Sequence, residues 1–188
     1  MFNNFKLRHI CDFSIKKDMK SKKNLVLLGM MGSGKSTVGD LLAKKLDVDF
    51  IDTDNVIEKM TKMKISEIFI KKGEKYFRNL EEKVTIKSLK STNTVISLGG
   101  GAFINENVKK EVIKNNFSFW LNLDTVTLLG RIKKSKKRPI AFKLKNHELI
   151  QLIESRAKIY SEAEFKINCN KLSKTEIVNK IIGLYEYN

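Results

Sequence analysis

The nine residues GMMGSGKST at positions 29–37 restrict the fold of this chain more than any other stretch. They fit the spacing G-x-x-x-x-G-K-[ST], and the flanks fit as well. The apolar run NLVLL at 24–28 precedes them, and Val38, Leu41, Leu42 and Leu46 follow at helical spacing. A buried strand, a glycine-rich turn and a helix N-terminus together make an anion cradle, because backbone N–H groups curl inward and the helix end adds partial positive charge. Gly32, Ser33, Gly34, Lys35, Ser36 and Thr37 would form that cradle. The Lys35 ammonium would reach the β- and γ-phosphates of a nucleotide, and the Ser36 hydroxyl would ligate Mg²⁺.

The remaining pattern alternates strands with helices. VDFI at 48–51, TVISL at 94–98, FSFWLNL at 117–123 and FKINC at 165–169 read as further strands. Helical spacing runs over about 53–90 with a break at Gly73, over 105–115, from an Asp124 cap to about 133, and over 146–159. Ser173 with Glu176 forms a capping box before a final amphipathic helix. Such alternation implies an α/β fold with a parallel sheet covered on both faces.

With 188 residues and 41% hydrophobic content, the chain has the length of one domain with a substantial core. Residues 23–188 are assigned to that domain, and residues 1–22 to a flexible N-terminal extension in which Met19 is an alternative start. No apolar run has the length of a membrane span, and the first residues lack the apolar block of a secretory signal, so a cytoplasmic protein is expected. Cys11 and Cys169 have no metal-ligand spacing and are read as plain thiols.

The formal net charge is +16, which suits either nucleic acid or an anionic small molecule. The lysine surplus accompanies abundant Asn and Ile and reads as compositional background. Arginine is scarce: Arg8, Arg78, Arg131, Arg138 and Arg156 are the whole set. A planar guanidinium holds a carboxylate or phosphate through two parallel hydrogen bonds, which an ammonium cannot reproduce, so the last four are candidate anion contacts.

FIDTD at 50–54 ends the second strand, at the edge where open α/β sheets bind ligands. In extended chain Asp52 and Asp54 point to the same side, one suited to Mg²⁺ and one to an acceptor hydroxyl; either also suits an N-cap. FRNLE at 77–81 puts Arg78 on a helix, with Glu81 three residues on to steady it. GGG at 99–101 offers backbone N–H donors and close approach, and Arg156 lies on a later helix. Two arginines with an aspartate suit an acceptor bearing a carboxylate and hydroxyls.

GMMGSGKST, FIDTD, FRNLE, GGG, the Arg138-Pro139 pair and RAKIYSEA occur in the order and spacing of shikimate kinases, and the resemblance covers about 24–185. It implies a three-layer P-loop kinase domain with a five-stranded parallel sheet of order 2-3-1-4-5. The implied reaction moves the γ-phosphoryl of ATP to the 3-hydroxyl of shikimate. Carried over, Asp54 binds the shikimate hydroxyls and is the candidate base, Arg78 and Arg156 hold the carboxylate, and Gly99, Gly100 and Gly101 close on the ring. Lys35 and Arg138 complete the catalytic set, Asp52 joins Ser36 at Mg²⁺, and Arg131 stacks on adenine. A lid over about 133–145 carries Arg138, where Ile140-Ala141 replaces the family's Leu-Leu.

Rival readings are another small P-loop kinase, acting on gluconate or a nucleoside monophosphate, and a nucleic-acid-binding P-loop protein. Neither kinase rival explains DTD, FRNLE and GGG together. The basic residues are spread along the chain without a nucleic-acid module, so shikimate and ATP are the expected partners, with no nucleic acid and no membrane, on a monomer.

Overall fold

The computed structural model describes residues 23–134 and 144–187. Its sheet has five parallel strands in the order β2-β3-β1-β4-β5, with helices flanking it. The strands are β1 (Leu25–Leu28), β2 (Asp49–Asp52), β3 (Thr94–Ser97), β4 (Phe117–Asn122) and β5 (Phe165–Asn168). The helices are α1 (Lys35–Leu46), α2 (Thr53–Thr61), α3 (Ile65–Leu89), α4 (Glu106–Asn115), α5 (Thr125–Lys134), α6 (Asn146–Tyr160) and α7 (Lys174–Tyr187).

Position in the sheet explains strand composition. Central β1 is apolar at all four positions and fully buried, as a strand covered on both faces must be, with Val26 in register with Ile96 and Ser118. Edge strands β2 and β5 carry charged or polar residues and are partly exposed. Phe119 stacks on Phe165 at 5.0 Å between ring centroids, extending the core to the β5 edge.

Local signals account for the helix ends. Asp124 accepts from the Thr127 amide at 2.7 Å, and the Ser173–Glu176 capping box closes at 2.7 and 3.3 Å. The expected break at Gly73 is present, with φ 82° and ψ 166°, a backbone region essentially reserved for glycine. A second break was not anticipated. Lys62 turns the chain at φ 51°, and Glu58 then accepts the Ile65 amide at 3.0 Å, which separates α2 from α3 ahead of the bend at Gly73. Ala102–Ile104 forms an unanticipated 3₁₀ turn after the glycine run.

Two apolar clusters result. The main core surrounds the sheet, while Ile57, Ile68, Phe77 and Val84 make a small separate cluster between α2 and α3. Cys169 is a buried free thiol, and burial pushes its pKa up to about 11. Among the described residues, no helix is long and apolar enough to cross a membrane.

Candidate active site

The C-terminal ends of β1, β2 and β3 converge where the strand order reverses beside β1, the place where open α/β sheets form a crevice. After β1, the loop of residues 29–34 turns into α1 with Gly32 at φ 85° and Gly34 at φ 97°. The Lys35 ammonium is buried and donates to the carbonyls of Gly29 at 2.8 Å and Met30 at 3.3 Å, which holds it over the loop. Ser36 faces β2 instead, and its hydroxyl donates to Asp52 Oδ2 at 2.5 Å.

Asp52 does two jobs at once. Its Oδ1 caps α2 by accepting from the Asn55 amide at 3.1 Å, while Oδ2 takes the Ser36 hydroxyl. The capping and metal-side readings of this residue are therefore compatible. A hydroxyl and a carboxylate oxygen in contact are the hard donors that Mg²⁺ takes from protein when phosphates and water supply the rest, so this pair fits the ion. Asp54 departs from expectation, because β2 ends at Asp52 and Asp54 lies in the first turn of α2. It reaches the site from a helix rather than along an extended strand.

Asp54, Glu81 and the glycine run meet closely. A Cβ on Gly99 would fall 2.5 Å from Asp54 Oδ1 and 2.8 Å from Glu81 Oε1, and one on Gly101 would overlap the Arg78 guanidinium. A side chain at either position would displace charged groups that already occupy that space. The Gly99 amide donates to Thr53 Oγ1 at 2.9 Å, and Thr53 in turn donates to the Ser97 carbonyl at 3.3 Å, tying the start of α2 to the end of β3 beneath the site.

Arg78 donates through Nη1 to Glu81 at 2.6 Å and through Nε and Nη2 to Glu74 at 3.2 Å. Glu81 is buried, and desolvation raises its carboxyl above the usual range, with the Arg78 guanidinium offsetting part of that rise. Arg156, on α6, is 8% exposed; its Nη1 donates to the Gly100 carbonyl at 3.1 Å. Its Nε has no hydrogen-bond partner among the described residues. A buried guanidinium N–H without an acceptor is costly. Tyr160, one turn later, donates its hydroxyl to the same carbonyl at 2.5 Å, and burial pushes its pKa up to about 12.

Arg131 sits in the last turn of α5 and donates to the Gly32 carbonyl at 3.2 Å, beside the phosphate loop. The structure thus brings Lys35, Ser36, Asp52, Asp54, Arg78, Arg156 and the glycine run together, with Arg131 beside Gly32 of the loop. Arg138, Pro139, Ile140, Ala141 and most of the expected lid lie outside the described residues. Thr53, Glu74 and Tyr160 went unremarked as site residues in the sequence; of these Glu74 and Tyr160 left a usable signal, each four residues from a site arginine on one helix face. A groove of about 500 Å³ along α3, lined by Lys83, Lys87, Lys90 and neighbours, contains none of the site residues.

Comparison with known proteins gives these residues a family. The profile of the family described as shikimate kinase matches residues 31–186. The shikimate kinase of Persephonella marina is 42% identical over 161 residues, which are 86% of this chain and 98% of that protein. The solved shikimate kinase of Acinetobacter baumannii in complex with shikimate superposes with TM-score 0.86 at 30% identity, covering 92% of this chain and 98% of that one. A gluconokinase from Sinorhizobium meliloti covers 88% of this chain and 93% of its own with TM-score 0.52 at 14% identity, a likeness of fold alone. The chain belongs to the shikimate kinase family, a P-loop enzyme with shikimate kinase activity in the shikimate pathway.

Proposed function

We propose that the crevice transfers the γ-phosphoryl of ATP to the 3-hydroxyl of shikimate, with the roles divided between its two walls. The observation that carries this reading is the convergence of Arg78 and Arg156 on the glycine run beside Asp54. Two guanidinium groups supply the charge to fix one carboxylate, and a carboxylate oxygen next to them can receive a hydroxyl proton. The Acinetobacter baumannii relative holding shikimate supports the same acceptor.

On the nucleotide wall, the loop amides and Lys35 cradle the β- and γ-phosphates, and Arg131 lies flat against adenine. Ser36 and Asp52 are the residues that would hold Mg²⁺, which when bound neutralises charge on the phosphate oxygens. Lys35 sits over the loop carbonyls of Gly29 and Met30 and would turn from them to phosphate. On the acceptor wall, Arg78 and Arg156 fix the ring by its carboxylate and Asp54 orients the hydroxyls. Asp54 accepts the 3-hydroxyl proton as the new O–P bond forms and the bond from the γ-phosphorus to the bridging oxygen breaks, with ADP as the leaving group. Phosphoryl transfer passes through a loose transition state, so alignment and charge stabilisation supply more of the rate than this proton transfer does.

Calorimetric titration with shikimate tests the acceptor wall. Arg78→Ala and Arg156→Ala should each weaken binding about 10- to 150-fold, the equivalent of roughly 1.5–3 kcal/mol for charge-assisted bonds. Unchanged affinity in both variants would remove the arginines from the acceptor site.

A further inference from the structure

The Gly100 carbonyl takes two donors from one helix. Arg156 Nη1 approaches it at 3.1 Å and the Tyr160 hydroxyl at 2.5 Å, both from α6. Tyr160 is 2% exposed, and its ring packs against Trp120 of β4 at 6.2 Å between centroids. On the far side the same glycine run is tied to α2 through the Gly99 amide and Thr53. The run is therefore held from both walls, and the phenol is its tether on the α6 side.

That tether bears on the guanidinium beside it. Were the phenol absent, Arg156 would be the one α6 side chain bonded to Gly100, and its bond to the carbonyl would compete with its bond to an incoming carboxylate. With the phenol in place, the carbonyl keeps a partner however the guanidinium turns. Arg156 Nε, buried and without a partner among the described residues, then meets the anion without leaving the glycine run unsatisfied.

The geometry points to Tyr160 as a positioning residue for the acceptor: its hydroxyl pins the Gly100 carbonyl and so presets the Arg156 guanidinium for the shikimate carboxylate. This rests on the acceptor reading proposed above. Tyr160 does not touch the reacting atoms, so its effect falls on acceptor affinity and not on the transfer step.

Tyr160→Phe in the full chain removes one oxygen and keeps the ring against Trp120. The expected result is a rise of about tenfold in both the shikimate KM and the shikimate dissociation constant, with kcat and the ATP KM within about twofold of the parent. Trp120→Phe alters the aromatic contact and leaves the phenol bonded, so its shikimate KM should stay within about twofold. Tyr160→Phe with an unchanged shikimate KM would overturn the proposal. So would a parallel rise in the ATP KM, or a Trp120→Phe variant as impaired as Tyr160→Phe, since either marks a general packing defect. A parent protein that does not bind shikimate would instead remove the acceptor reading itself.

Discussion

Arg138 and Glu81 separate two kinds of charge at the residue scale. Arg138 lies outside the described residues, and its proposed task is to stabilise the transferring phosphoryl group. Arg138→Ala should therefore lower kcat on the order of 10³-fold or more while shikimate affinity changes little, as read from steady-state kinetics and calorimetry together. Glu81 is buried under Arg78, with its pKa raised by desolvation. The native state keeps that proton to higher pH than the unfolded chain, so this group's contribution to stability falls as pH rises from the ordinary Glu range through the native value. Glu81→Gln cannot ionise. Thermal melts at about pH 4 and about pH 7 should show the variant losing less stability over that span than the parent; an identical loss would mean the carboxyl is not perturbed.

At the scale of elements, α3 bends at Gly73 and carries Arg78 and Glu81 beyond the bend. An L side chain is strained at φ 82° and ψ 166°, at a cost of about 1–3 kcal/mol. Gly73→Ala should lower the melting temperature by roughly 3–10 °C for a chain of this size and weaken shikimate binding by shifting Arg78. No change in either would mean that the bend survives without glycine. Gly73 was legible as a break because helical spacing continues on both sides of it. The turn at Lys62 was not, because Lys62 has no breaker chemistry and the helix that follows starts on a carboxylate, Glu58, from the preceding helix. The FIDTD stretch failed in the same way: the sequence shows two aspartates two apart, while the junction between β2 and α2 falls between them and decides that one caps and the other rides on the helix.

For the whole molecule, the alternation of strands and helices implied a parallel sheet covered on both faces, whereas the strand order came only with the resemblance to shikimate kinases, because β3 inserts between β1 and β2 and no local pattern shows that. What depends on packing between distant segments, such as the Thr53 tie beneath Gly99, had no local pattern to reveal it. The division into two apolar clusters belongs to this scale too. The cluster of Ile57, Ile68, Phe77 and Val84 is far smaller than the core around the sheet, so α2 and the first turns of α3 should open more readily than β1, β3 and β4. Amide hydrogen exchange should be faster there, and shikimate should slow it; uniform exchange across both regions would contradict that division.

The proposed chemistry stands on the acceptor more than on the nucleotide, since a phosphate loop serves many kinases. The most direct measurement is ADP release with ATP and Mg²⁺ in the presence of shikimate, gluconate or each of the four common nucleoside monophosphates. The arrangement of Asp54, Arg78, Arg156 and the glycine run predicts turnover with shikimate and none above background with the others. Turnover with gluconate or a nucleoside monophosphate, and none with shikimate, would contradict it.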